Sequence, residues 1–167
     1  MSEVIIIVAV AENYVIGNKG KIPWHISEDF QHFKEITMDF PCMMGDVTYE
    51  SLPESFRPLP GRENVVLTFN KDYHPEGTTI FHDFEEALEY CKKKYDKVFI
   101  TGGATIYRIG MPHADKLMIT RVHKEYEGDV FFPQVKKEEW VEVEREDHHS
   151  DKEDVDFSFV TYVRKNN

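Results

Sequence analysis

Asp29 is an acid on a helix face that is otherwise apolar. It stands in Pro23-Trp24-His25-Ile26-Ser27-Glu28-Asp29-Phe30-Gln31-His32-Phe33, which reads as the opening of an amphipathic helix over Ser27–Thr37. At about 100° per residue, Ile26, Phe30, Phe33 and Thr37 share one face. Asp29 lies on the edge of that face, while Glu28, Gln31, His32 and Glu35 turn away. A carboxylate among apolar side chains needs a partner, and where the protein supplies none a ligand's donors can. Helix capping is the competing explanation, because Ser27 is a good N-cap and acids in the first turn meet the helix dipole favourably. The preceding segment, Glu12 to Trp24, carries Gly17, Gly20 and Pro23, the length and punctuation of a lid or binding loop.

Two glycine turns could meet phosphate. Gly102-Gly103 follows an apolar run and opens a helix, and Gly45 with Thr48 forms a second turn of the same kind. Glycine lets a phosphate approach backbone N–H groups at a helix start. Two such turns at the ends of parallel strands suit a pyrophosphate, although Gly-Gly also serves ordinary tight turns. The spacing is not that of the Rossmann fingerprint. Arg57-Pro58-Leu59-Pro60-Gly61-Arg62 sets two arginines in a stiff loop, where a guanidinium fork can take a carboxylate bidentately; two solvated surface arginines are the alternative. His148-His149 and the stretch Asp151 to Asp156 have neither zinc nor calcium spacing and read as solvated. No metal site is expected, and no nucleophile elbow appears.

These groups must be held by a scaffold, and the hydrophobic pattern supplies one. Val4 to Val10 is a continuous apolar run, as in a strand buried on both faces. Cys42 to Gly45, Val65 to Phe69, Thr78 to Phe81, Val98 to Thr101 and Leu117 to Val122 read as further strands. Thr48 to Leu52 reads as a short helix. Asp83 caps another, with Glu86 completing a capping box and Phe84, Ala87, Leu88 and Cys91 as its apolar stripe. A helix starts near Ala104. Trp140 to Glu144 and Phe157 to Val163 alternate like half-exposed antiparallel strands, with His148 to Asp156 as the solvated loop of a hairpin. The order implies an α/β fold in three layers: a mainly parallel central sheet, helices on both faces and an antiparallel C-terminal hairpin.

With 167 residues and 41% hydrophobic content, the chain has the size of one domain, expected to span 1–167. No apolar run has membrane-spanning length, and the first strand lacks the flanks of a signal peptide. A net charge of −11 argues against a nucleic-acid backbone as partner. Cys42 and Cys91 form no redox or metal spacing, so a reduced, cytoplasmic setting is expected.

Taken in order, Val15-Ile16-Gly17, Ile22-Pro23-Trp24, Asp29 with Phe33-Lys34, Met44-Gly45 with Thr48, Arg57 to Arg62, Thr101-Gly102-Gly103 with Ile106-Tyr107, and Glu127-Gly128-Asp129 with Phe132-Pro133 resemble the dihydrofolate reductase family over nearly the whole chain. The resemblance implies NADPH-dependent reduction of 7,8-dihydrofolate to tetrahydrofolate, with hydride passing from nicotinamide C4 to pterin C6 and a proton reaching N5. By similarity Asp29, backed by Thr120, would accept from the pterin 2-amino group and N3. It would not touch N5, so water would deliver that proton, and Trp24 would help hold an ordered water. Ile7, Val8, Phe30, Phe33, Leu52 and Thr101 would line the substrate pocket. Arg62, with Arg57 beside it, would take the glutamyl tail. Ala9, Ile16, Gly17, Gly45, Thr48, Leu67 and Thr101 would border the cofactor. Gly102, Gly103, Ala104, Thr105, Ile106 and Tyr107 would carry its phosphates, and the Gly102–Gly103 peptide is expected to be cis. Dihydrofolate and antifolate inhibitors are the expected ligands, and a monomer the expected unit.

Some residues depart from the family pattern. The family usually has a basic residue just after the glycine matched by Gly45, to meet the cofactor 2′-phosphate; here Asp46-Val47 follow. The usual Ser-Arg or Ser-Ser after the next strand is Thr68-Phe69. A carboxylate repels a phosphate and suits a free ribose hydroxyl, so weakened NADP preference is expected, with Thr68, Asn70 or Lys71 as substitutes. Thr101 replaces a usual aliphatic residue. Two other readings remain: a pyrimidine reductase of riboflavin synthesis, which shares the fold but needs neither Asp29 nor Arg62, and a non-catalytic pterin- or nucleotide-binding protein.

Overall fold

The computed structural model describes residues 2–165. The first strand, β1 (Glu3–Ala11), is the centre of the molecule. Its side chains alternate between two cores. Val4, Ile6, Val8 and Val10 enter one, and Ile5 and Ile7 enter the other. A strand that buries both faces leaves no polar alternation in its sequence, which is why the run is unbroken.

The chain continues through β2 (Val15–Gly17), α1 (Ser27–Thr37), β3 (Cys42–Gly45), α2 (Asp46–Ser51), β4 (Asn64–Leu67) and β5 (Thr78–Phe81). Next come α3 (Phe84–Lys94), β6 (Lys97–Gly102), α4 (Ala104–Gly110), β7 (Lys116–Val122) and β8 (Val130–Phe131). The long pair β9 (Trp140–Ser150) and β10 (Val155–Arg164) ends the fold. Eight strands form one sheet in the order β5-β4-β3-β6-β1-β7-β10-β9, and β2 pairs with β8 as a separate ribbon. The pairs from β5 to β7 are parallel, whereas β10 is antiparallel to both β7 and β9. On one face Phe33 and Ile36 of α1 and Tyr49 of α2 pack on Ile5, Ile7, Met44 and Phe99. On the other, Phe84, Ala87, Leu88 and Cys91 of α3 join Ile106 and Tyr107 of α4.

Several boundaries differ from the sequence reading. The hairpin loop is not His148 to Asp156. Strand pairing runs through Ser150 and resumes at Val155, so only residues 151–154 turn. His148 stacks on Phe157 at 5.4 Å, and Ser150 and Val155 are buried; the turn uses Asp154 at φ 49° in place of the glycine that would have marked it. Ser27 is not the cap of α1, for Ile26 holds that position without a side-chain capping bond. His32 is not free in solvent but stacks on Phe159 at 3.7 Å. The helix expected from Thr48 begins at Asp46, and β4 ends at Leu67, leaving Thr68 and Phe69 outside it. Asp83 does cap α3, accepting from the Glu86 amide at 3.0 Å. The ribbon strands β2 and β8 are too short to have a readable period.

Candidate active site

The site lies where α1 crosses the carboxyl ends of β1, β6 and β7. Ala9 of β1 is opposite Thr120 of β7 in the register, and the Thr120 hydroxyl donates to Asp29 Oδ1 at 2.5 Å. That bond spans 91 residues of sequence and answers the capping question: the carboxylate faces the sheet, not the amides of its own helix. Burial pushes the Asp29 carboxyl up to about 6, while the Thr120 hydrogen bond opposes the rise. Among the described residues no arginine or lysine pairs with it.

Apolar side chains surround the acid. Ile7 is buried, with Phe33 and Leu52 packed on its cluster. Phe30 lies beside the His25 ring and is 43% exposed. Val8 is a correction: its side chain enters the opposite core with Ile106 and Tyr107, because successive residues of a strand alternate. Thr101 donates to the Met43 carbonyl at 3.1 Å and so ties β6 to β3. Trp24 is buried against Tyr126, ring centroids 5.0 Å apart, in a cluster with Val15, Ile26 and Phe157. The loop before it is tied down from the 127–132 segment: the Asp129 carboxylate accepts from the Lys19 amide, and the Asp129 amide donates to the Gly17 carbonyl at 3.1 Å. Glycine is obligatory at 128, where a Cβ would meet the Gly17 carbonyl oxygen at 2.6 Å. Gly17 and Lys19 are thereby tied to the 127–132 segment.

The two arginines diverge. Arg62 Nη1 donates to Thr37 Oγ1 at 3.2 Å, Nε donates to the Pro60 carbonyl, and the guanidinium lies 5.9 Å from the Phe33 ring centre. It makes no ion pair among the described residues. Arg57 is instead bonded to Glu50 at 3.1 Å, and Tyr73 donates to the other Glu50 oxygen. Of the two, only Arg62 has no carboxylate partner among the described residues. Thr37, which sequence reasoning placed on the apolar face without a role, is what orients it; its spacing one turn beyond Phe33 was the available signal.

The glycine turns converge. A Cβ on Gly103 would lie 3.1 Å from Thr48 Oγ1, and one on Gly45 would touch Ile106. Gly102 has φ +115°, and its Cβ would lie 3.2 Å from the Tyr107 ring; the Tyr107 hydroxyl donates to the Ile7 carbonyl at 3.0 Å. The Gly102–Gly103 peptide is cis, as is Arg57–Pro58. The start of α2 and the start of α4 thus form one surface bearing Thr48, Ala104, the exposed Thr105 and backbone amides, a donor set suited to a dinucleotide pyrophosphate. At its far end Asp46 and Thr68 are bonded to each other, Leu67 is buried, and Val47 and Phe69 are exposed.

Comparison with known proteins points to one family. The family model described as dihydrofolate reductase matches residues 3–164. The chain is 42% identical to dihydrofolate reductase of Neisseria gonorrhoeae over 165 residues, covering 99% of this chain and 100% of that one. It is 36% identical to the Bacillus subtilis enzyme over 161 residues, 96% of this chain and 94% of the other. Among solved structures, dihydrofolate reductase from Enterococcus faecalis, complexed with NADP(H) and RAB-propyl, superposes with a TM-score of 0.90 at 35% identity, covering 98% and 97% of the two chains. By sequence over its full length and by fold, the chain belongs to the dihydrofolate reductase family.

Proposed function

We infer that this chain reduces 7,8-dihydrofolate to 5,6,7,8-tetrahydrofolate with NADPH, serving one-carbon metabolism as a single-domain monomer in the cytoplasm. The observation that carries the reading is Asp29, a partly buried carboxylate at the edge of the apolar face of α1 with Thr120 as its donor. A pterin offers a 2-amino group and N3–H side by side, the two-donor edge that a carboxylate takes bidentately. When bound, NADPH supplies the hydride that moves from nicotinamide C4 to pterin C6. Thr120 takes one lone pair of Oδ1 and fixes the carboxylate plane, leaving the other lone pair of Oδ1 and both of Oδ2 for the substrate's two donors. The negative charge beside N3 pushes electron density across the ring toward N5 and raises its basicity. Asp29 does not reach N5; water delivers that proton, and Trp24 walls its approach. Phe33 and Leu52 flank the benzoyl group, and Arg62 binds the α-carboxylate of the glutamyl tail. Antifolates with an amidine edge compete for Asp29.

The test is NADPH oxidation followed at 7,8-dihydrofolate saturation, with Asp29→Asn as the variant. The acid should be worth at least about a hundredfold in kcat at neutral pH, with much smaller change in cofactor affinity. Near-normal turnover in that variant would remove Asp29 from the mechanism. Tight folate binding without any turnover in the wild type would favour the non-catalytic binding protein.

A further inference from the structure

The carboxyl ends of β3 and β4 lie side by side, with Gly45 opposite Leu67, and nucleotides bind outside such strand ends. Asp46 leaves one strand and Thr68 follows the other. The Thr68 hydroxyl donates to Asp46 Oδ2 at 2.7 Å, and the Val47 amide donates to Asp46 Oδ1 at 2.7 Å. Thr68 Oγ1 in turn accepts from the Asn70 amide at 3.1 Å, and Asn70 Oδ1 accepts from the Asp72 amide at 3.0 Å. The carboxylate is therefore fixed, and two donors that could have met a phosphate point at it instead. Of the neighbours able to replace a basic residue, Thr68 is committed to Asp46, the Asn70 side-chain oxygen closes the turn, and Lys71 stands exposed beyond it. Val47 and Phe69, 78% and 98% exposed, leave uncovered apolar surface on either side of the acid.

We propose that the Asp46–Thr68 pair is the specificity determinant for the cofactor's adenosine end and sets it toward a ribose with a free 2′-hydroxyl, so that this enzyme uses NADH as well as NADPH. The proposal rests on the cofactor reading above. A carboxylate has about four lone-pair sites; two are filled here, and the ribose hydroxyls are donors that fit the others. A 2′-phosphate is anionic and acceptor-only at neutral pH. It meets like charge at Asp46, where the Thr68 and Val47 donors are already engaged. Val47 and Phe69 give the adenine apolar surface that neither cofactor form alters.

The experiment measures dissociation constants of NADPH and NADH for the full chain by titration of protein fluorescence, without substrate, alongside kcat/KM for both. The two affinities should lie within about tenfold of each other. Asp46→Asn keeps an acceptor for Thr68 but removes the charge, and should tighten NADPH by about tenfold while weakening NADH, whose ribose hydroxyls lose a carboxylate acceptor. Added salt should weaken NADPH binding less than in that variant, since it also screens the repulsion. A wild-type NADPH preference above about a hundredfold, unchanged in Asp46→Asn, overturns the proposal; the wild-type ratio stands alone should the variant fail to fold. Binding of neither dinucleotide would overturn the cofactor reading itself, and the proposal with it.

Discussion

At Asp29 the folded protein holds a carboxyl group whose protonation is displaced from about 4 to about 6 by burial. A folded-state pKa above the unfolded value favours folding while the group is protonated, and that advantage disappears as pH rises through 6. A shift of this size corresponds to about 3 kcal/mol. Asp29→Asn, which keeps the shape and still accepts from Thr120, should therefore raise the apo Tm by about 8 °C at pH 8 and leave it nearly unchanged at pH 4. Thermal denaturation at the two pH values measures this; equal shifts at both would mean that charge burial is not the cause. The same group should give the hydride-transfer rate an inflexion near pH 6, absent in the variant. Arg62 makes a separate prediction. Its guanidinium is oriented by Thr37 and Pro60 and meets no acid, so Arg62→Ala should raise the dihydrofolate KM at least about tenfold with little change in kcat or Tm. Steady-state kinetics would show it, and a fall confined to kcat would contradict it.

Between elements, one carboxylate adds a polar junction to the apolar packing of α3 on the sheet. Glu63 accepts from Tyr90, Tyr95, Thr79 and Lys94 at 2.5, 2.6, 2.8 and 3.1 Å. Burial alone would raise its pKa, but the four donors outweigh burial and bring it down to about 2. A depressed pKa stabilises the fold above the unfolded value and is lost as pH falls toward 2. Discounted for the half-exposed Lys94, Glu63→Gln should lose on the order of 2 kcal/mol at pH 7 and progressively less below pH 4, as urea unfolding at both pH values would reveal. No periodic pattern marks Glu63, because its partners come from β5, α3 and the helix end. The binding loop depends on another junction. Gly128→Ala would drive a Cβ into Val15 Cγ1 and the Gly17 carbonyl oxygen, so the 12–24 loop should become readily cleaved by protease and NADPH should bind more weakly, with the Asp29–Thr120 pair left intact. Limited proteolysis of a variant as resistant as wild type would refute this.

Across the molecule, the exposed edge of the sheet is β9, with Glu142, Glu144, Arg145, Glu146 and Asp147 all exposed beside Val141 and Val143. Charges on an edge strand discourage pairing with another chain, and the net charge of −11 adds general repulsion. Replacing Glu142 and Glu144 together by Val should produce concentration-dependent association, visible by sedimentation velocity, while activity per monomer holds at low concentration. Unchanged sedimentation would show that the strand's twist or its remaining charges suffice.

Most of the scaffold was legible because hydrophobic periodicity is a local property. The continuous run of β1, the α3 stripe of Phe84, Ala87, Leu88 and Cys91, and the limits of α1, β3 and β5 could all be read along the chain, and the joint spacing of Asp29, the glycine turns and Arg62 named the family. What waited for the folded chain were relations between distant segments. Asp29 could be an N-terminal helix acid until β7 brought Thr120 to it. Val8 and Ile7 were equal candidates until the strand's alternation assigned them to opposite cores. Arg57 and Arg62 share one stiff loop in the sequence, and only the fold shows Glu50 taking the first and Thr37 holding the other beside Phe33. The hairpin was misjudged because its polar outer face hides the pairing that continues to Ser150. Burial, pairing and charge are fixed by which surfaces meet, and the one-dimensional order of residues does not contain those meetings until the sheet has been assembled.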